Sequence, residues 1–154
     1  MHSLPLELIA LSSIFLVTVT SLQNLPNDQV IEGRQVIGDY VLYRNLSKWQ
    51  EAVDICHGEA MQLVDIDTAD KDLELLNLLT ENGISDIIWT CGRKYQGEFR
   101  WTELNNKTFT YTRWYAGEPN EINVKICVHF QAQGGWYDTN CDVTSGTLCQ
   151  LPTP

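Results

Sequence analysis

Basic side chains are scarce in this chain: ten Lys and Arg stand against twenty Asp and Glu, leaving a formal charge of −10. They are also scattered and never gather into a run along the sequence. That excludes the basic stripe that phosphate-dominated nucleic-acid binding requires and the polybasic segment that an anionic membrane surface attracts. No apolar run is long enough to cross a bilayer. There is no CxxC and no zinc-type Cys/His spacing, which argues against a structural zinc site. Phosphate loops, repeats and low-complexity segments are absent too. His57 and His129 stand alone, and no nucleophile is marked by a neighbouring base, so nothing here asks for an enzyme.

What is present suits one secreted domain. The 154 residues match a single-domain length, and the composition is that of an ordinary globular protein. Residues 8–19, "LIALSSIFLVTV", have the length of a signal-peptide core, with Val19 and Ser21 at the positions read before cleavage at Leu22. The residues ahead of it depart from that pattern, having no Lys or Arg. We therefore expect a signal peptide over 1–21, a polar lead-in over 22–36 and the folded domain over 37–152. Cys56, Cys91, Cys127, Cys141 and Cys149 make an odd number for an oxidising compartment; four could form two bridges, leaving one over. Asn45 and Asn106 head Asn-X-Ser/Thr tripeptides, which suggests glycosylated, exposed loops.

The chain changes character half-way. "YVLY" at 40–43 predicts a strand. Ser47 and Gln50 then have the spacing of a capping box, and Trp49, Ala52, Val53 and Cys56 recur as one buried helical face, with Gly58 at its end. "LVDI" at 63–66 is a brief extended piece. Thr68 caps a second helix with Asp70 and Asp72 in its first turn and Leu73, Leu76 and Leu79 as its inner stripe. Beyond Asn82-Gly83 the segments "DIIWT", "EFRWT", "TFTYTRW", "ICVHF" and "TLCQ" are short, aromatic or β-branched. Helices first and strands afterwards predict an α+β domain. Residues 114–126 are a long loop without regular signals, which in a compact domain is usually functional. Trp89, Trp101, Trp114 and Trp136 read as core packing rather than as a sugar platform. Asp65, Asp67, Asp70 and Asp72 lack the Gly and terminal Glu of an EF-hand loop.

Taken in order, Trp49…Ala52…Cys56, "LVDI", "IWTCG", "GEFRW", "YTRW", "GEPN", "CVHF", "WYD…C" and "LCQ" resemble the C-type lectin domain family, and within it the small secreted lectins of insects. The resemblance covers nearly all of the chain after residue 36. It implies two helices with antiparallel strands and a long binding loop, and disulfides Cys56–Cys149 and Cys127–Cys141. It also implies a Ca2+ ion bound by Glu118 and Asn120 of "EPN", an acid two residues before Cys127, and the Asn and Asp of "WND". Pro119 would be cis and would aim the two flanking side chains the same way, and vicinal sugar hydroxyls would complete the coordination.

Carried onto this chain, Glu118, Asn120 and Asp138 match, but Lys125 stands where the acid belongs and Tyr137 replaces the Asn. Glu121 is a possible substitute ligand, and Tyr137 a possible stacking surface for a sugar. "EPN" implies mannose-type glycans with equatorial 3- and 4-hydroxyls, where galactose-type relatives carry "QPD". Two readings stay open: calcium-dependent recognition of mannose-type glycans, in innate recognition of microbes, or a protein-binding module with a degraded calcium site. Cys91 is read as a buried free thiol or as a bridge to a second lectin chain.

Overall fold

The computed structural model describes residues 33–122 and 125–152. The expected signal peptide and most of the lead-in lie outside the described residues. The elements run β1 (Arg34–Ile37), β2 (Tyr40–Ser47), α1 (Trp49–Gly58), β3 (Gln62–Leu63), α2 (Ala69–Glu81), β4 (Ile88–Tyr95), β5 (Glu98–Trp101), β6 (Lys107–Thr108), β7 (Ile126–Gln131), β8 (Gly135–Asn140) and β9 (Ser145–Gln150). This is the expected α+β class. The sheet order is β1-β2-β9-β4-β5-β6, with β3 added to β9, and β7 pairing both β4 and β8. Strand pairing is antiparallel except between β4 and β9, which run parallel, so the sheet is mixed rather than purely antiparallel.

Helix α1 forms as its spacing predicts, burying Trp49, Ala52, Val53 and Cys56. Its cap differs. Ser47 does not cap it; that residue closes β2 opposite Ser145, and its Oγ lies 2.8 Å from Thr147 Oγ1. The helix starts one residue later, where the Lys48 N–H donates to Glu51 Oε2 at 2.8 Å. Ser47 is buried, and a buried hydroxyl goes to the partner that satisfies it. Gly58 is still helical; the left-handed residue after α1 is Ala60, at φ +56°.

Helix α2 is capped by Thr68 Oγ1, which accepts from the Lys71 N–H at 3.2 Å. Its inner face is Asp72, Leu75 and Leu79, while Leu73 is 55% exposed. Leu79 is buried as expected, but Asp72 and Leu75 take the inner places expected of Leu73 and Leu76. Asp72 causes it: Arg113 Nε and the Tyr111 hydroxyl both donate to Asp72 Oδ2 from another part of the chain, so the carboxylate turns inward.

Three further segments depart from the sequence reading. Residues 34–36, placed in the lead-in, belong to β1 and pair with β2. Of "TFTYTRW" only Thr108 joins a strand, in β6; Phe109 instead stacks on Trp101 with ring centroids 3.9 Å apart. The residues carrying "WYD" form β8, which pairs with β7.

Trp89, Trp101, Trp136 and Phe130 are the largest fully buried side chains. The Trp89 Nε1–H donates to Ser47 O and the Trp49 Nε1–H to Thr90 O, each at 2.8 Å. Cys56–Cys149 joins α1 to β9 across 93 residues, and Cys127–Cys141 joins β7 to the end of β8 across 14. Loop-closure entropy makes the longer closure worth about 4–5 kcal/mol and the shorter about 3 kcal/mol. Cys91 is free and fully buried in β4, and desolvation pushes its thiol far above the ordinary range. A thiol so desolvated is a poor nucleophile.

Candidate functional site

The loop after Trp114 is anchored at its base by a close backbone approach. The Tyr115 N–H donates to Trp136 O, and the Trp136 N–H to Arg113 O, each at 2.9 Å. Gly135 lets this happen: it sits at φ +123°, and a Cβ there would lie 2.9 Å from Arg113 O. The Asp72–Arg113 ion pair holds the same segment from the helix side. From this base residues 115–122 run without helix or strand.

Glu118, Asn120 and Asp138 come together at the loop's turn. The Glu118–Pro119 peptide bond is cis. The Asn120 side-chain amide donates to Glu118 Oε1 at 2.9 Å, and its backbone N–H donates to Asp138 Oδ1 at 2.7 Å. The Glu121 backbone N–H also donates to the Asp138 carboxylate, at 3.1 and 3.2 Å to its two oxygens. Asp138 is buried on β8, opposite Val128 of β7. Glu118 Oε2 is buried with no hydrogen-bond partner among the described residues. Burial, and then the neighbouring Asp138 carboxylate, raise the Glu118 pKa above the usual range. Two carboxylates with no cation between them thus share one corner. Among the described residues, however, no three His, Cys, Asp or Glu side chains are arranged to hold a metal.

The two departures from the expected ligand set turn elsewhere. Lys125 Nζ lies 3.8 Å from Asp142 Oδ2, an exposed pair that lines a cleft with Trp49 and Glu51 of α1. Tyr137 stacks on Tyr115 with centroids 5.0 Å apart and planes 26° apart. Tyr115, 48% exposed, is a rim residue to which the sequence reading gave no role; only its place at the head of the loop hinted at one. Behind Tyr137, the His129 ring packs 5.8 Å away, and burial lowers the His129 pKa to about 4. Of the two glycosylation tripeptides, Asn106 lies in an exposed turn, whereas Asn45 is exposed but on β2 rather than in a loop.

The Lectin C-type domain profile matches residues 45–151. The chain belongs to the C-type lectin domain family. "C-type lectin 1" of Hydrophis hardwickii is 31% identical over 121 residues, which cover 73% of this chain and 72% of that protein. "Lectin subunit alpha" of Sarcophaga peregrina is 29% identical over 150 residues, 89% of this chain but 52% of the relative, so the chain spans about half of that relative's length. The crystal structure of human lithostathine superimposes with a TM-score of 0.63 at 20% identity, covering 79% of this chain and 90% of that one; this last likeness is one of fold. The family is one of carbohydrate-binding modules whose members usually bind calcium. Among the described residues no helix is long and apolar enough to cross a membrane.

Proposed function

We propose that this C-type lectin domain is a secreted protein that recognises mannose-type glycans, on microbial surfaces among others, through a calcium ion held at Glu118, Asn120 and Asp138. The observation that carries the reading is Glu118 Oε2, buried beside the Asp138 carboxylate and without a hydrogen-bond partner among the described residues. Hard oxygens of this kind suit calcium, which takes six to eight of them, with sugar hydroxyls and water supplying the remainder. The ion would neutralise the corner and polarise the hydroxyls it binds. Glu118 and Asp138 would accept hydrogen bonds from those hydroxyls, and the Asn120 amide would donate to them. Tyr115 and Tyr137 offer an aromatic face at the same rim. Single sites of this size bind weakly, so useful strength would come from several sites acting together.

The test is retention on immobilised mannose. Folded protein should be held in calcium and released by a chelator. Passage straight through the column in calcium would sink the proposal.

A second reading has its own support. Asp138 already accepts three backbone contacts, and Lys125 adds a cation rather than a ligand near the loop. On that reading the loop is closed on itself and the domain binds protein. Absence of retention by folded protein would favour it, whereas retention that survives the chelator would mean sugar binding without calcium.

A further inference from the structure

A hairpin sets two arginines side by side at a place distinct from the loop. Arg93 of β4 and Arg100 of β5 are directly opposed in the antiparallel register. Both line one cleft of about 460 Å3, together with Tyr95, Gln96, Thr102 and Asn106. Like charges opposed across two strands repel, so such a pair calls for a counter-charge.

Arg100 has a partial one. Its Nη2 donates to Glu98 Oε2 at 2.6 Å and its Nη1 to Asn106 O at 3.0 Å. The Arg93 side chain makes no hydrogen bond or ion pair with a described residue. Its guanidinium instead lies 5.6 Å from the centroid of the Trp49 ring, which supports the group and leaves its N–H edge open. The Nε atoms of both arginines are buried and lack an acceptor. A guanidinium cannot shed its proton to escape that state, and its fork of N–H groups matches the oxygens of an oxyanion. Set against Glu98, the two arginines leave the cleft with one net positive charge.

We propose that the Arg93–Arg100 cleft binds a singly charged oxyanion, the chemistry shared by a carboxylate and a sulfate ester, with the forked N–H groups of Arg93 and the Nε–H of Arg100 as donors. The Thr102 hydroxyl is already committed to Cys91 O, so Tyr95, Gln96 and the Asn106 side-chain amide are the polar groups left at the rim. The site is independent of the calcium reading, and its test omits calcium.

The experiment is a titration of the whole protein, in metal-free buffer at constant ionic strength, with methyl sulfate and separately with acetate replacing chloride. The arginine Nε–H resonances are followed. Saturable shifts at both Arg93 and Arg100 are expected, and the tighter of the two ions identifies the group. Arg93→Gln should weaken binding by about tenfold or more, and Arg93→Lys, which keeps the charge but loses the fork, should fall between. Lys94→Gln should leave binding unchanged, because Lys94 is on the opposite face of β4, over Phe99. If Arg93→Gln does not fold, Arg100→Gln takes its place with the same expectation. The proposal is overturned if neither ion gives saturable shifts, or if Lys94→Gln weakens binding as much as the arginine substitutions do.

Discussion

Acidic side chains cluster at two places in this molecule, and the two are finished differently. Around the start of α2, each buried or half-buried aspartate has its own cation. Lys71 Nζ lies 2.7 Å from Asp65, Lys107 Nζ lies 2.8 Å from Asp67, and Arg113 pairs with Asp72. Gln150 adds a donor to Asp65 and Tyr111 one to Asp72. At the loop, among the described residues, Glu118 and Asp138 accept from backbone N–H groups and an amide and have no basic side chain as partner. The first cluster is electrostatically complete and holds the fold together. Among the described residues the second is left with surplus negative charge. Residue types alone do not separate the two, since aspartates spaced like a crude calcium loop belong to the complete cluster.

The largest effect that would sharpen this contrast is at Asp72. Asp72→Asn removes the charge opposite Arg113, whose pair is nearly buried on the aspartate side; a loss of about 3 kcal/mol is expected, read from chemical denaturation. Restoring the family's ligands at the loop comes next. Lys125→Glu with Tyr137→Asn should raise calcium affinity about tenfold or more by calorimetry, because charge and ligand count set that affinity. No gain would mean that these two positions do not face the ion.

The smallest effects concern pH, and they carry opposite signs in the two clusters. Burial alone would raise the Asp67 pKa, but the hydrogen bond and charge of Lys107 outweigh it and the pKa falls. Its ion pair therefore stabilises the fold above the unfolded carboxylate range, and that stability is lost as pH drops through the folded pKa. Asp67→Asn should cost less than about 1 kcal/mol at neutral pH, for so exposed a pair, and nothing in acid. Glu118 is the reverse. Its raised pKa means that the metal-free fold loses stability as pH rises through the window above the ordinary glutamate value. Glu118→Gln should thus leave the metal-free protein slightly more stable at neutral pH and abolish its calcium response. Differences between each variant and the parent cancel the contribution of His129. A pH-independent difference at either position would break the comparison.

Much of this was legible in the chain. The face of α1, the capping of α2 by Thr68, the aromatic core and the ordered lectin markers are local patterns, and local patterns survive folding because helix and strand periods are geometric. The meeting of Glu118, Asn120 and Asp138 was legible only through the family resemblance, as was the disulfide pairing. Ser47 was misread as a cap because its partner, Thr147, is 100 residues away. The leucine stripe of α2 was misplaced because nothing beside Asp72 announces that Arg113, 41 residues on, turns it inward.

By itself, then, the sequence determined the α+β class, the family and which oxygens are available at the loop. The tertiary structure decided which acids are neutralised and which are left open. It also set two arginines face to face across β4 and β5. The reason is physical: charge is a property of each residue, but Coulomb energy depends on distance, which folding sets by hairpin register for Arg93 and Arg100 and by long-range packing for Asp72 and Arg113.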